Sequence, residues 1–530
     1  VEERRALIKN PVLPGSNPDP SILRVGDEFY LATSTFEWYP GVRLHRSRDL
    51  VHWSSLGGAL DGTRVLDLAG CPDSGGVWAP NLTYADGLFY LVYSNVSTYA
   101  GGFTDCPNYL VTAPSIEGPW SDPVLLHARG FDASLLHDRD ESWLINLAHD
   151  WRPGHGGSLG LEATRFSREE LRLIGEPERI VLPPQAGWIE GPNVYRIGDW
   201  YYLLTADGGT GYDHQVTVAR SSTLLGPYER DPRGPLLTAR DRPDLPLQKA
   251  GHGSLMCTGE GEWYLAYLVA RPLGRRGPCV LGRETALAPV TWTDEGWPQV
   301  PGGVPELTVA APDLDVQPED EGSQWSTLRR PASADWMSWS HGGSRLRLHG
   351  GRSPRSLLGA SLVARRVTAP RCSFEATLEF APRGIQQAAG ITAYYNSENW
   401  YFLHVTADDD GRRVIHVARS DRGRLALDEF DGEFKEDFDD GFDIGVPSRL
   451  KLGMDLDDGE LTLRYDAGGG WRRLGPAYDA TVLSDEHAAV IEDGVIRSLG
   501  FTGAFLGMWA WDLAGGGHPA EFGEFSYAAR

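Results

Sequence analysis

Cysteine is scarce. There are five in 530 residues (Cys71, Cys106, Cys257, Cys279 and Cys372), an odd number with no CxxC pair. That excludes a disulfide scaffold and a metal centre built on thiolates, and leaves buried free thiols as the expectation. Positive charge is also short: Lys+Arg number 49 against 73 Asp+Glu, for a net charge of −24. Such a surface repels phosphate backbones and anionic lipid, so neither nucleic acid nor membrane is an expected partner. No apolar run approaches the ~20 residues that span a bilayer, and the opening Val1-Glu2-Glu3-Arg4-Arg5 is no secretory signal. The missing leader and unpaired thiols point to the cytoplasm, or to secretion where a leader has been removed. No long segment of the first 300 residues carries a 3.6-residue apolar period.

Glycine and aromatic residues are plentiful (Gly 64, Trp 18, Tyr 20, Phe 17), which suits many short strands joined by tight turns and also suits sugar binding. The length exceeds what one core sustains, about 250–300 residues, so two domains are expected.

A turn followed by an aromatic strand recurs five times: Gly26–Ala32, Ala85–Tyr93, Asp138–Asn146, Ile197–Thr205 and Gly259–Tyr267. The marker residues Tyr30, Tyr90, Trp143, Tyr202 and Tyr264 are separated by 60, 53, 59 and 62 positions. Five units of three or four antiparallel strands predict a five-bladed β-propeller over residues 1–304. Residues 305–323, rich in Pro, Gly and acid, read as a linker. From 324 to 530 alternating strands, such as Cys372–Phe380 and Trp400–Thr406, predict a two-sheet β-sandwich. The fold class is all-β. The acidic run Glu429–Asp443 reads as a solvated loop; its spacing fits no EF-hand.

Counting back 11–12 residues from each marker reaches the start of each blade's innermost strand, where equivalent positions converge on the axis. These are Asp19 in NPDPS, Trp78-Ala79-Pro80-Asn81, Asp132 in FDASL, Glu190 in WIEGPN and His252 in AGHGS. A lone Asp beside Pro is a turn former and a lone His is usually a satisfied core group. Three carboxyls and a histidine in register are neither, because unpaired buried acids are costly. Crowded together, such acids have pKa values pushed apart, as acid–base chemistry requires. Pro18 and Pro20 are expected to hold Asp19 extended. Trp188 and Ile189 are expected to wall Glu190 and raise its pKa. Two carboxyls facing a neutral hydroxylated ligand are the parts of a glycoside hydrolase.

The segments Asn10–Ile22, Ser34–Leu50, Pro72–Tyr84, Phe131–Asp138, Glu190–Arg196, Pro246–Leu255 and Leu281–Trp292 resemble glycoside hydrolase family 43, especially its two-domain β-xylosidases and α-L-arabinofuranosidases. Ser361–Arg366, Tyr394–Thr406 and Phe501–Asp512 are similar to the concanavalin-like C-terminal sandwich of those enzymes. The resemblance implies an exo-acting, inverting hydrolase that releases terminal β-D-xylose or α-L-arabinofuranose from small oligosaccharides. It implies Asp19 as general base, Glu190 as general acid, and Asp132 as the residue that orients the acid and tunes its pKa. Arg283 would bind hydroxyls of the terminal sugar, with Trp78 and Phe36 as walls and Phe505 reaching back from the sandwich to close the pocket. His252 would hold the channel floor, directly or through water or a cation such as calcium, with no cofactor required. A homo-oligomer is compatible with all of this. Asn193 and Asn17 stand where relatives carry His, and His149–Ser167 departs from the usual pattern, which bears on leaving-group contacts. An inverting pair of carboxyls should stand ~6.5–9.5 Å apart.

Three rivals remain at this level. A retaining fructosidase-type enzyme would need an NDPNG-like motif; Arg230-Asp231-Pro232 mimics its RDP but should lie on an outer surface turn. A non-catalytic sugar-binding propeller would show equivalent sites rather than unequal inner positions. An endo-acting arabinanase or xylanase would need an open groove.

Overall fold

The computed structural model describes residues 6–182, 188–314, 322–429 and 448–530. Except for Glu429, the acidic run 429–443 lies outside them, as do 315–321 of the expected linker. Among the described residues the one α-helix is the single turn Asp485–Ala488, and no helix is long and apolar enough to cross a membrane. All five cysteines are free thiols; only Cys257 is not fully buried.

Five antiparallel sheets follow one another along the chain, each built from a meander that runs from the axis outward. Their innermost strands are Ser21–Val25, Gly76–Ala85, Gly130–Asp138, Ile189–Ile197 and Gln248–Cys257. The repeat markers fall on the second strand of each sheet and are all buried, filling the space between blades. This is the five-bladed propeller. Its hairpins are tight because their turns accept left-handed backbone, as at Asp86-Gly87 (φ 50° and 81°).

Two devices close the ring. Leu7–Lys9 pairs with Thr308–Ala310, a strand inside the stretch expected to be linker. Asn10 then imitates a strand neighbour, its Nδ2 donating to Leu287 O (2.8 Å) and its Oδ1 accepting from Leu287 N (2.9 Å) in blade five. The second device is a belt of side chains from one register position of each inner strand. Ser21 Oγ accepts from Leu82 N, Asn81 Oδ1 from Leu135 N, and Ser254 Oγ from Ile22 N. Ser134 Oγ donates to Pro192 O, and Asn193 Nδ2 to Gly253 O. Each blade thereby satisfies a backbone group of the next, and the fifth returns to the first. Buried polar atoms paired this way fix blade-to-blade registry where an apolar contact would slide.

The sandwich packs an eight-stranded sheet on a seven-stranded one. Its core, with Phe374, Leu378, Leu403, Met454 and Met508, takes in Val280 and Leu281 from the propeller. In turn Trp38–Tyr39 of blade one pairs with Thr327 and Leu328 and ends the larger sheet. Burying side chains of this size stabilises by about 1.5–3 kcal/mol each, so the two units share a core across their junction.

Arg230 lies in the outermost strand of blade four, away from the axis as expected. Asp231 beside it is buried rather than on a surface turn, chelating Arg233 (2.9 and 2.5 Å).

Candidate active site

Each inner strand carries a left-handed residue at its axial end: Asp19 (φ 56°), Ala79 (29°), Asp132 (55°), Gly191 (58°) and His252 (47°). In blades two to five the pairing register shifts there, as a bulge requires. The bulge re-aims the side chains at the axis. Asp19, two residues before its strand begins, is left-handed rather than extended between its prolines, and Asp tolerates that region better than most residues. Glu190 stands one residue before its blade's left-handed position, in register with Trp78 and Phe131 rather than with Asp19 and Asp132. Gly191 occupies the bulge itself, where a Cβ would come within 3.0 Å of the His252 ring.

These ends meet in one cavity of about 950 Å³ lined by Asp19, Asp132, Glu190, His252, Arg283, Trp78 and Phe36. Phe505 is not among its walls. It is 1% exposed and stacked on Trp38 (centroids 4.0 Å apart) at the domain junction. The strand that starts at Phe505 turns this ring toward blade one, and the aromatic that reaches the cavity is Phe501, in the loop just before it. Phe501 contacts Trp78 (5.7 Å) and Phe36 (5.9 Å). The sequence offered no periodicity to find a loop aromatic.

Asp19 is buried and well supplied with partners. Ser34 Oγ donates to its Oδ2 (2.6 Å) while itself accepting from Ala79 N (2.8 Å). Arg283 Nη1 lies 3.5 Å and His252 Nδ1 3.8 Å from Oδ1. Burial alone would raise this carboxyl's pKa, but Arg283, His252 and the Ser34 bond outweigh it, and the net shift is downward. Glu190 goes the other way. Burial, reinforced by the Asp19 charge, pushes it up to about 7 against the hydrogen bond from Trp188 Nε1 (2.6 Å). Trp188 thus does more than wall the acid: its N–H favours the ionised form. Asp132 is also raised, by burial and by the charges of Glu190 and Asp19; its Oδ2 accepts from Gly191 N (3.0 Å).

Arg283 lies between Phe36 and Phe501 (5.6 and 4.5 Å from its guanidinium carbon to the ring centroids). Its Nε and Nη2 are buried without a hydrogen-bond partner among the described residues. Unpaired buried donors of this kind are costly unless a ligand satisfies them. Asn17 N donates to Arg283 O (2.9 Å) and Thr285 Oγ1 to Asn17 O (2.5 Å), lacing the Asp19 loop to the Arg283 segment.

A channel cation is one of the alternatives for His252; among the described residues no group of three or more His, Cys, Asp or Glu is arranged to hold a metal ion. His252 and His214 beneath it are both held below the usual histidine range, first by burial.

The mouth has three rims: residues 101–104 of blade two, 149–157 of blade three, and the sandwich hairpin of Val490–Glu492 and Val495–Ser498. Asp150 chelates Arg152 (2.9 and 2.7 Å), and Trp151 stacks on Phe103 (5.6 Å, 17°) with both rings more than half exposed.

The family model described as glycosyl hydrolases family 43 matches residues 8–298, and that of the beta xylosidase C-terminal concanavalin A-like domain matches 317–528. The chain is 39% identical to "Xylosidase/arabinosidase 43B" of Humicola insolens, over 98% of this chain and 97% of that protein. It is likewise 39% identical to "Beta-xylosidase" of Bacillus subtilis (strain 168), over 98% and 99%. The crystal structure of xylan beta-1,4-xylosidase from Bacillus halodurans C-125 superimposes with a TM-score of 0.90 at 41% identity, covering 98% of this chain and 99% of that one.

Proposed function

The chain belongs to glycosyl hydrolase family 43, and from that premise we propose that it removes single pentoses, β-D-xylose or α-L-arabinofuranose, from the non-reducing ends of short oligosaccharides with inversion. It is a glycoside hydrolase; the relatives' names carry the pentose reading. One observation supports the division of labour best: two carboxyls in one cavity are driven in opposite directions, Asp19 down and Glu190 up.

In this reading the terminal sugar sits against Phe36, Trp78 and Phe501, and its hydroxyls accept from the free Nε and Nη2 of Arg283. Ionised Asp19 takes a proton from water, and the water oxygen attacks the anomeric carbon. As the C–O bond to the leaving group breaks, protonated Glu190 gives its proton to the departing oxygen. Asp132 holds the Gly191 backbone beside the acid and acts as a positioning group. The leaving group points out toward the Trp151–Phe103 pair, a flat apolar platform suited to the face of a following sugar. Phe501 closes the cavity beside Arg283 and the 490–498 hairpin narrows the mouth beside residues 100–102, which favours exo over endo cleavage.

The deciding experiment compares an aryl β-xyloside, an aryl α-arabinofuranoside and xylobiose as substrates. The reading expects turnover of at least one aryl pentoside and only monosaccharide plus shortened chain from xylo-oligosaccharides. Binding without turnover, or internal cleavage, overturns it.

A further inference from the structure

Arg283 has an unusual mounting for a buried arginine. Among the described residues no carboxylate grips its guanidinium in a bidentate pair; the one carboxylate oxygen within 4 Å is that of Asp19, at 3.5 Å, and two of its nitrogens have no hydrogen-bond partner. Its placement therefore leans on the flanking Phe36 and Phe501 rings and on the backbone that carries it, which Asn17 holds at Arg283 itself and the sandwich holds just upstream. Ala504 N donates to Val280 O (2.8 Å) and Asp485 N to Cys279 O (3.3 Å). Gly282 and Gly503 touch backbone to backbone: a Cβ on Gly282 would lie 2.8 Å from Gly503 Cα.

The anchor of this contact is Glu486, in the sandwich's helical turn Asp485–Ala488. Its Oε2 accepts from Cys279 N (2.7 Å), the first residue of the segment leading to Arg283. Its Oε1 accepts from Lys249 Nζ (2.5 Å). The Lys249 side chain is 6% exposed and stands three residues before His252 on the innermost strand of blade five. The carbonyl of Lys249 is also used, accepting from His214 Nδ1 (3.1 Å). A single sandwich carboxylate thus joins the two propeller segments that deliver Arg283 and His252 to the cavity.

We propose that Glu486 is a positioning residue for Arg283, so that affinity for the terminal pentose is set from the sandwich through the Lys249–Glu486–Cys279 bridge. This rests on the reading above that Arg283 binds the terminal sugar. Both partners of Glu486 are donors, and a glutamine presents only one acceptor oxygen. Glu486→Gln therefore satisfies one tether and opposes the other with an N–H group.

The test is a double-mutant cycle on the full chain, reading the dissociation constants of free D-xylose and L-arabinose from the fluorescence of the cavity tryptophans, beside kcat and KM on a nitrophenyl pentoside. Glu486→Gln is expected to weaken binding of whichever pentose the wild type prefers about five- to tenfold and to raise KM in parallel, with kcat within about threefold. On an Arg283→Ala background the same change should add less than twofold. Lys249→Gln, which cuts the bridge from the other side and leaves the Cys279 bond, should act in the same direction more weakly; it serves if Glu486→Gln does not fold. Unchanged pentose affinity in folded Glu486→Gln and Lys249→Gln overturns the proposal, as do penalties that multiply in full on Arg283→Ala. If Arg283→Ala alone leaves pentose affinity unchanged, the reading of Arg283 fails first, and the proposal with it.

Discussion

The backbone N–H of Gly191 donates to Oδ2 of Asp132 at 3.0 Å, so the residue next to Glu190 is held by a carboxyl from the neighbouring blade. Asn at position 132 keeps an acceptor oxygen and Ala does not. Asp132→Ala is expected to lower kcat/KM by about 10²-fold, the cost of a misplaced acid, with Asp132→Asn losing less. Steady-state kinetics of the two variants check this; equal losses would mean the bond to Gly191 is not what matters.

Turnover needs Asp19 ionised and Glu190 protonated. The pH profile of kcat/KM should be a bell whose acid limb lies below the usual aspartate range and whose alkaline limb lies at about 7. The Trp188 N–H favours ionised Glu190, so its removal disfavours ionisation. Trp188→Phe is expected to move the alkaline limb upward by about one unit. A downward shift contradicts the assignment.

Glu190→Ala removes proton donation alone. Its loss should be about 10²–10⁴-fold on xylobiose and much smaller on a dinitrophenyl pentoside, whose leaving group departs unprotonated. Asp19→Ala should be equally inactive on both, since water must be activated in either case. A plot of rate against leaving-group pKa separates the two.

Phe501 and Phe505 are four residues apart and have different tasks. Phe501→Ala should raise KM for every pentoside while leaving the melting temperature nearly unchanged. Phe505→Ala removes a ring stacked on Trp38 at the domain junction and should cost about 3–5 kcal/mol of stability. Thermal unfolding beside kinetics checks both.

Trp151→Ala strips the exposed platform at the mouth. It is expected to lower kcat/KM for xylotriose several-fold, about the worth of one aromatic contact, while the affinity for free pentose stays constant. Loss of pentose affinity would place Trp151 inside the terminal-sugar site instead.

Much of this was legible in the chain because repeats turn spacing into geometry. Five aromatic markers at near-constant intervals announced five blades, and counting back from them reached Asp19, Asp132 and His252. The count blurred Glu190, which stands one residue before its bulge; only backbone conformation distinguishes it from Gly191. The inter-blade belt was visible in principle, since Ser21, Asn81, Ser134, Asn193 and Ser254 each stand two residues past the left-handed position. Asn193, which looked like a departure in the site, belongs to that belt. Phe501, the Trp38–Tyr39 strand and the Lys249–Glu486 bridge were not legible. Each depends on how two domains dock, and the repeat that converts spacing into position within the propeller does not extend into the sandwich.

The sharpest test of the whole account is the proton NMR spectrum of the pentose in the first moments after release from an aryl pentoside. A base that activates water delivers a sugar of inverted anomeric configuration, which then mutarotates. First-formed sugar with the substrate's own configuration would mean a covalent intermediate, and Asp19 could not be the base described here.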